Sequence, residues 1–278
     1  MSQKVNLNAY FERIGFAGSI APTLSTLELI HALHPATIAF ENLNSLLGLP
    51  TALDLPSIEK KLLHERRGGY CYEQNLLLSA VLRELDFNVR NLAARVVWNE
   101  PPSVDADAHH MLLAIDIGGA TYIADVGNGG LSLTTPLKLK ADVEQPTPHE
   151  TFRLSGGHPE WKLEAKVGDA WRGLYVFDLT EKVEADYAPS NTYLSTDLNA
   201  SFRKELRAAL SPSGRRLVLR NNRLSTRVEG QPTEVQELTS VAELRDVLSG
   251  TFGIQLPSAE LLDPKLEVIL ADAGVTEV

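Results

Sequence analysis

The amino-acid sequence predicts an α+β protein built in three successive portions, and two changes of texture carry that expectation. From about residue 6 to 85, apolar residues recur at helical spacing. After Asp86, β-branched runs alternate with glycine pairs, and from about Ser190 helical stretches return around short candidate strands. The expected divisions are a helical domain over 1–86, an antiparallel β domain over 87–189 and an α/β domain over 190–278. A chain of 278 residues with 44% hydrophobic and 22% charged residues has the balance of an ordinary globular protein and ample material for two or three cores.

In the first portion, Ser25-Thr26-Leu27-Glu28 has the serine-to-glutamate spacing of a capping box, and Leu27, Ile30, His31 and His34 then share one helix face. A second helix is expected over 57–64, with Ser57 as cap and Glu59 in its first turn. A third begins near Cys71 and carries the buried stripe Leu77, Leu78, Val81, Leu82 and Leu85. Strands follow over 89–98, 110–117, 121–126 and 174–179, and the acidic, proline-containing stretch 141–149 reads as a long connection. The last portion is expected to hold helices over 202–210, 241–248 and 259–271 and strands over 215–221 and 224–228.

Charge and cysteine content narrow the partners. Twenty-six basic against 36 acidic residues give a net charge of -10, which repels a nucleic-acid backbone. A single cysteine allows no internal disulfide, and the first residues lead into no apolar signal segment. No stretch approaches the roughly 18 apolar residues of a membrane span. The expected setting is cytoplasmic, with neither nucleic acid nor membrane as partner.

The chemistry centres on Arg67-Gly68-Gly69-Tyr70-Cys71-Tyr72-Glu73-Gln74-Asn75, which puts a thiol after two glycines and at a helix start. Glycines allow close backbone approach, while first-turn N–H groups and the helix dipole favour an anion. A free thiol ionises near about 8.5, so such a setting beside an imidazolium is a usual means of forming thiolate at neutral pH. An inert buried cysteine is the other reading of this motif alone. His110 opens the run 110–117, and Gly118-Gly119 then forms a two-residue hairpin loop. Pairing Ile117 with Ala120 sets Leu112 opposite Asp125 and His110 opposite Gly127, making His110 and Asp125 diagonal neighbours on one face. A carboxylate against an imidazole fixes its tautomer and stabilises its protonated form. His109 points to the opposite face, and Asp105 and Asp107 lie in the approach loop. His31 and His34 stand one turn apart, but no third residue completes a metal site.

At these residues the sequence resembles the arylamine N-acetyltransferase family, whose hallmarks are Arg-Gly-Gly-x-Cys-x-Glu-x-Asn, a downstream strand-initial histidine and Asp-Val-Gly-Phe-Gly. Phe40-Glu41-Asn42, Trp171 with 174–177, and Asn191-Thr192-Tyr193-Leu194-Ser195-Thr196 extend the resemblance over roughly residues 6–205. The resemblance implies a helical N-terminal domain, an antiparallel β-barrel middle domain and an α/β C-terminal lid, with a papain-like Cys-His-Asp site formed by Cys71, His110 and Asp125. It implies acetyl-CoA as co-substrate with no permanently bound cofactor, and a small aromatic amine or hydrazine as acceptor, served in turn through an acetyl-cysteine. It further implies that Glu41 pairs with Arg67.

Candidate substrate contacts are Phe40, Tyr70, Asn128 and Phe202, and candidate cofactor contacts are Trp98, Gly129 and Gly130. A core position is the other reading of Trp98, Phe40 and Phe202. Asn128 stands where the family has phenylalanine, which removes an aromatic wall and adds an amide needing a partner. Ala39 and Leu198 replace family prolines. Arg203, Lys204, Arg207, Arg215, Arg216, Arg220 and Arg223 concentrate positive charge where the lid is expected to approach the cofactor. The Asn128 departure keeps a related acyltransferase or amide synthase in view, and the same three residues would also serve a thiol hydrolase.

Overall fold

The computed structural model describes residues 4–98 and 109–275. Helices α1 (Leu7–Ile14) and α2 (Leu24–Thr37) open the chain. The cap of α2 is Thr23, whose hydroxyl accepts the Thr26 N–H at 3.3 Å, and not Ser25. Thr23 has the extended backbone that a cap requires, whereas Ser25 is already inside the helix. Strand β1 (Phe40–Glu41) and helix α3 (Leu43–Leu47) follow. Helix α4 (Leu55–Glu59) is capped by Asp54, not Ser57, and runs on into a π-helical turn over Lys60–His64. Pro56 in its first turn needs no N–H partner, and the Ser57 N–H donates to Asp54 Oδ1 at 3.0 Å. Glu59 therefore closes α4 instead of opening it. Helix α5 (Cys71–Glu84) starts at the cysteine and buries the predicted leucine and valine stripe.

An eight-stranded antiparallel sheet follows, made of β2 (Asn88–Val96), β3 (His110–Ile117), β4 (Ala120–Ala124), β5 (Leu137–Lys138), β6 (Gln145–Pro146), β7 (Thr151–Gly156), β8 (Trp161–Val167) and β9 (Ala170–Phe177). Its order, β5-β4-β3-β2-β9-β8-β7-β6, places β5 and β6 at the two ends. Gln145 brings those ends together, because its side-chain amide bonds both the N–H and the carbonyl of Lys138, at 2.8 and 2.9 Å. The result is a nearly closed barrel. In the β3–β4 hairpin Ile117 pairs with Ala120, and Gly118 and Gly119 both take the left-handed backbone of a type I′ turn. The strands then use both faces: Met111, Leu113 and Ile115 join the core under the helices, while Leu112 and Ala114 fill the barrel.

Helices α6 (Glu184–Thr196) and α7 (Ser201–Lys204) lead to a second sheet of β10 (Arg207–Leu210), β11 (Arg215–Arg220), β12 (Arg223–Val228) and β13 (Glu234–Glu237), with α8 (Val241–Asp246), a π-helical turn over Val247–Thr251 and α9 (Ala259–Val275). The helix expected over 202–210 is thus a single helical turn followed by a strand. Ala208, Ala209 and Leu210 are buried between β1 and β11, and that pairing outweighs the helix propensity of alanine and leucine. Strand β1 completes this second sheet, with Phe40 opposite Ala209. The expected division at 189/190 lies inside α6.

Among the described residues no helix is long and apolar enough to cross a membrane.

Candidate active site

The segment before α5 is placed by β1. Glu41 N–H donates to Gly69 O at 3.0 Å, and Gly69 N–H to Ala39 O at 3.3 Å, so the two glycines run against the strand backbone. A Cβ on Gly68 would stand 2.1 Å from Ala39 O, which explains why no other residue fits. Arg67 Nε reaches Glu41 Oε1 at 2.9 Å, the pair that the resemblance implied. On α5 itself, Glu73 accepts the Tyr70 N–H at 3.0 Å and Lys61 Nζ at 2.6 Å, and Gln74 Nε2 donates to Ala39 O at 2.8 Å. Cys71 is buried, and its Sγ faces His109 O at 3.7 Å.

His110 and Asp125 meet as the hairpin parity requires, with His110 Nε2 2.7 Å from Asp125 Oδ2. Both are buried. Asp125 Oδ2 also accepts the Tyr175 hydroxyl at 3.0 Å, and the Tyr175 ring lies 4.8 Å from the imidazole. Asp125 Oδ1 accepts Asn75 Nδ2 and the Gly127 N–H, each at 2.9 Å. Asn75 spends its remaining bonds on Met111 O at 2.7 Å and the Val126 N–H at 3.1 Å, tying the cysteine helix to both strands of the hairpin. A Cβ on Gly127 would lie 2.7 Å from Cys71 Cα, so bare backbone lets the aspartate segment abut the helix start.

Burial alone lowers the pKa of His110, but the Asp125 carboxylate, its hydrogen bond and the adjoining Cys71 sulfur outweigh it and raise the value to about 10. Burial pushes Asp125 upward, and His110 together with the Asn75 and Gly127 donors brings it below its usual range. The favoured state is therefore an imidazolium clasped by a carboxylate. Nε2 is engaged with Asp125, which leaves Nδ1 for the sulfur.

The other candidate residues divide. Phe40, Tyr70 and Phe202 form an edge-to-face aromatic cluster, with Phe202 centred 6.1 Å from Phe40 and 5.8 Å from Tyr70. Tyr70 is 1% exposed and its hydroxyl is bonded to Asn191. A Cβ on Gly129 would come within 3.7 Å of the Phe40 ring, and one on Gly130 within 3.0 Å of Val218 of β11. Asn128 is half-buried, with its amide 3.4 Å from Leu131 O in its own turn. Trp98, two residues beyond β2, is 43% exposed, which overturns a core position.

His109 stacks on Tyr193 at 5.0 Å, turned away from Asp125, and Asp105 and Asp107 lie outside the described residues. His34 bonds Tyr10 and Gln74 at 2.8 and 2.6 Å, and His31 accepts the Asp125 N–H. The basic run is not one free patch. Arg207 and Arg220 bond Glu205, Arg223 approaches Glu237, Arg203 reaches the Ser45 carbonyl and Arg216 is buried on Glu150. A cleft of about 480 Å³ contains Arg216, Glu150 and His149 but none of the site residues. Arg216, on Ser132 O and Glu150, and His149, on Pro212 O, there join the barrel side to the second sheet.

Asn75, Gly127, Tyr175 and His31 carry roles that the sequence reading did not assign. Asn75 was legible as part of the motif around Cys71. The other three have partners 50 or more residues away, apart from the contact of Gly127 with its near neighbour Asp125.

The likeness to known proteins runs over nearly the whole chain. The sequence model of a family described as N-acetyltransferase matches residues 23–261. The arylamine N-acetyltransferase of Escherichia coli (strain K12) is 39% identical over 255 residues, which is 91% of this chain and 90% of that protein. The arylamine N-acetyltransferase of Mycobacterium tuberculosis is 38% identical over 256 residues, again 91% and 90% of the two chains. Among solved structures, that of Mycobacterium marinum arylamine N-acetyltransferase in complex with CoA superposes with a TM-score of 0.91 at 35% identity, covering 95% of this chain and 99% of the other. Agreement of this extent in sequence and in fold leaves one assignment: the chain belongs to the arylamine N-acetyltransferase family.

Proposed function

We propose that this chain transfers the acetyl group of acetyl-CoA to an arylamine or hydrazine through an acetyl-Cys71 intermediate. The observation that carries the reading is the buried Asp125–His110 pair, 2.7 Å apart, beside the buried thiol of Cys71 at the start of α5. The His110 imidazolium holds the thiolate as its counter-charge, and the thiolate attacks the thioester carbonyl. First-turn N–H groups of α5, which have no intrahelical acceptor, face the developing oxyanion. Collapse expels the CoA thiolate, which takes the proton from His110. An amine then attacks the acetyl-cysteine, neutral His110 accepts its proton, and Cys71 leaves as thiolate beside the restored imidazolium. Exchange of one thioester for another is nearly balanced, so amide formation supplies the downhill step.

Purified protein mixed with acetyl-CoA is expected to gain one acetyl group by intact mass, and Cys71→Ala to gain none. No adduct on the wild type, or an adduct on the variant, would overturn the acetyl-cysteine step. Steady CoA release without any amine would favour hydrolysis instead.

Asn128 bears on the acceptor. Its half-buried amide stands where the resemblance to the family's Asp-Val-Gly-Phe-Gly motif implies an aromatic wall. Asn128→Phe is expected to increase turnover of simple arylamines by several-fold, the scale of one added aromatic contact of about 1 kcal/mol. A decrease in kcat/KM across an arylamine panel would show that Asn128 does not stand in for that wall.

A further inference from the structure

We infer that His31 is a positioning residue for the acyl-transfer site, an imidazole kept neutral so that it can accept the backbone N–H of Asp125 and fix where that carboxylate stands. The inference rests on the proposed acetyl-cysteine chemistry. Residue 125 lies just beyond the paired ladder of β3 and β4, which ends at Leu113 opposite Ala124. Its N–H is therefore without a strand partner. His31, fully buried on α2, supplies one, with Nε2 3.1 Å from the Asp125 nitrogen.

An imidazole nitrogen that accepts a hydrogen bond carries no proton, so the proton of His31 is on Nδ1. That second nitrogen is buried and has no hydrogen-bond partner beyond a contact with its own residue's backbone. An apolar residue here would leave no such orphan. The one good bond that the ring makes is the bond to Asp125, and a buried unsatisfied group of this kind calls for a compensating role.

The groups around the ring are His34 one turn along α2 and, across the hydrogen bond, Asp125 with His110 and Tyr175 behind it. Burial outweighs the attraction of Asp125 and lowers the His31 pKa to about 3, whereas His110 on the carboxylate is raised to about 10. Two imidazoles thus flank one aspartate in opposite protonation states. Were His31 protonated, it would lose the Asp125 N–H and set a second cation against the charge that holds His110. Kept neutral, it orients the residue without competing for it.

The test uses the full chain. In wild-type protein with ¹⁵N-labelled imidazoles, His31 is expected to show the neutral Nδ1–H tautomer throughout the range from about pH 5 to 9, where an ordinary histidine titrates. His31→Leu is expected to slow Cys71 acetylation by acetyl-CoA on the order of tenfold or more and to lower the titration midpoint of His110, with little change in KM. His31→Gln, whose side-chain oxygen can replace Nε2, is expected to recover most of both. The proposal is overturned if His31 carries its proton on Nε2, or if His31→Leu melts earlier yet keeps the acetylation rate and the His110 midpoint. If the leucine variant does not fold, the wild-type tautomer and the glutamine variant still decide. The His110 titration is read without acetyl-CoA, so failure of acetyl transfer and failure of the His31 role remain separate results.

Discussion

Asp125→Asn is expected to lower the rate of Cys71 acetylation on the order of 10⁴-fold while the protein remains folded. The reason lies in the number of donors that converge on this carboxylate. Oδ2 accepts His110 Nε2–H and the Tyr175 hydroxyl, and Oδ1 accepts Asn75 Nδ2 and the Gly127 N–H. An amide offers one oxygen and one NH₂, so it cannot serve four donors. Asn75 cannot turn over to help, because its own bonds to Met111 O and the Val126 N–H fix its orientation. The substituted oxygen therefore stays with Asn75 and Gly127, and its NH₂ faces His110. His110 must then accept at Nε2 and carry its proton on Nδ1, toward the sulfur. A neutral imidazole with its hydrogen on that side cannot take the thiol proton. Removing the negative charge also removes the main influence that raises the His110 pKa to about 10. Rapid-quench mass spectrometry of the acetylated enzyme measures the step, and a loss smaller than about tenfold would remove Asp125 from its orienting role.

The second large effect is on stability. Glu41→Ala is expected to destabilise the protein by about 3–5 kcal/mol, the cost of leaving one member of a buried ion pair without its partner. Glu41 is 1% exposed and accepts both Arg67 Nε at 2.9 Å and the Leu43 N–H at 2.6 Å. Burial pushes its pKa up, but Arg67, Lys61 and the Leu43 N–H outweigh that and hold it below the ordinary value of 4.5. With a depressed folded-state pKa, its contribution is present above about pH 4.5 and is lost as the pH falls through the lower, folded value. The gap between wild type and Glu41→Ala should therefore narrow in acid. Arg67→Met added to Glu41→Ala should restore part of the loss by removing the stranded guanidinium. Urea denaturation of the two variants at neutral and acid pH checks both statements, and equal losses for the single and double variants would contradict the stranded-charge account.

Features that depend on near neighbours were legible in the sequence. The glycine pair at 118–119 fixes the hairpin register, and the register fixes which histidine meets Asp125, so the sequence itself distinguishes His110 from His109. The start of α5 at Cys71 and its apolar stripe were equally local. Caps were less so: Ser25 and Ser57 have the right chemistry, but Thr23 and Asp54 stand where the extended backbone enters the helix. The sequence pattern predicts a helix over 202–210, where Arg207–Leu210 is a strand, because the partner strand β1 lies far away in the chain. Tyr175 and His31 touch Asp125 across 50 and 94 residues, and no spacing rule reaches that distance. Motif residues supplied the reacting atoms, whereas the groups that hold them came from the tertiary fold.

Strand β1 has a consequence for how this protein can be recombined. The second sheet takes its edge strand from residues 40–41, and its apolar core includes Ala39, Leu43 and Leu46 from the N-terminal part of the chain. The C-terminal third is therefore not a module that can be cut out or exchanged at a single junction. A chimera that imports residues 190–278 from a relative inherits a foreign edge and a foreign half-core unless it also imports the segment from Ala39 to Leu47. The same short stretch guides the backbone before Cys71, so drift in the C-terminal domain is transmitted to the start of the cysteine helix, and the two regions are expected to have evolved as one unit.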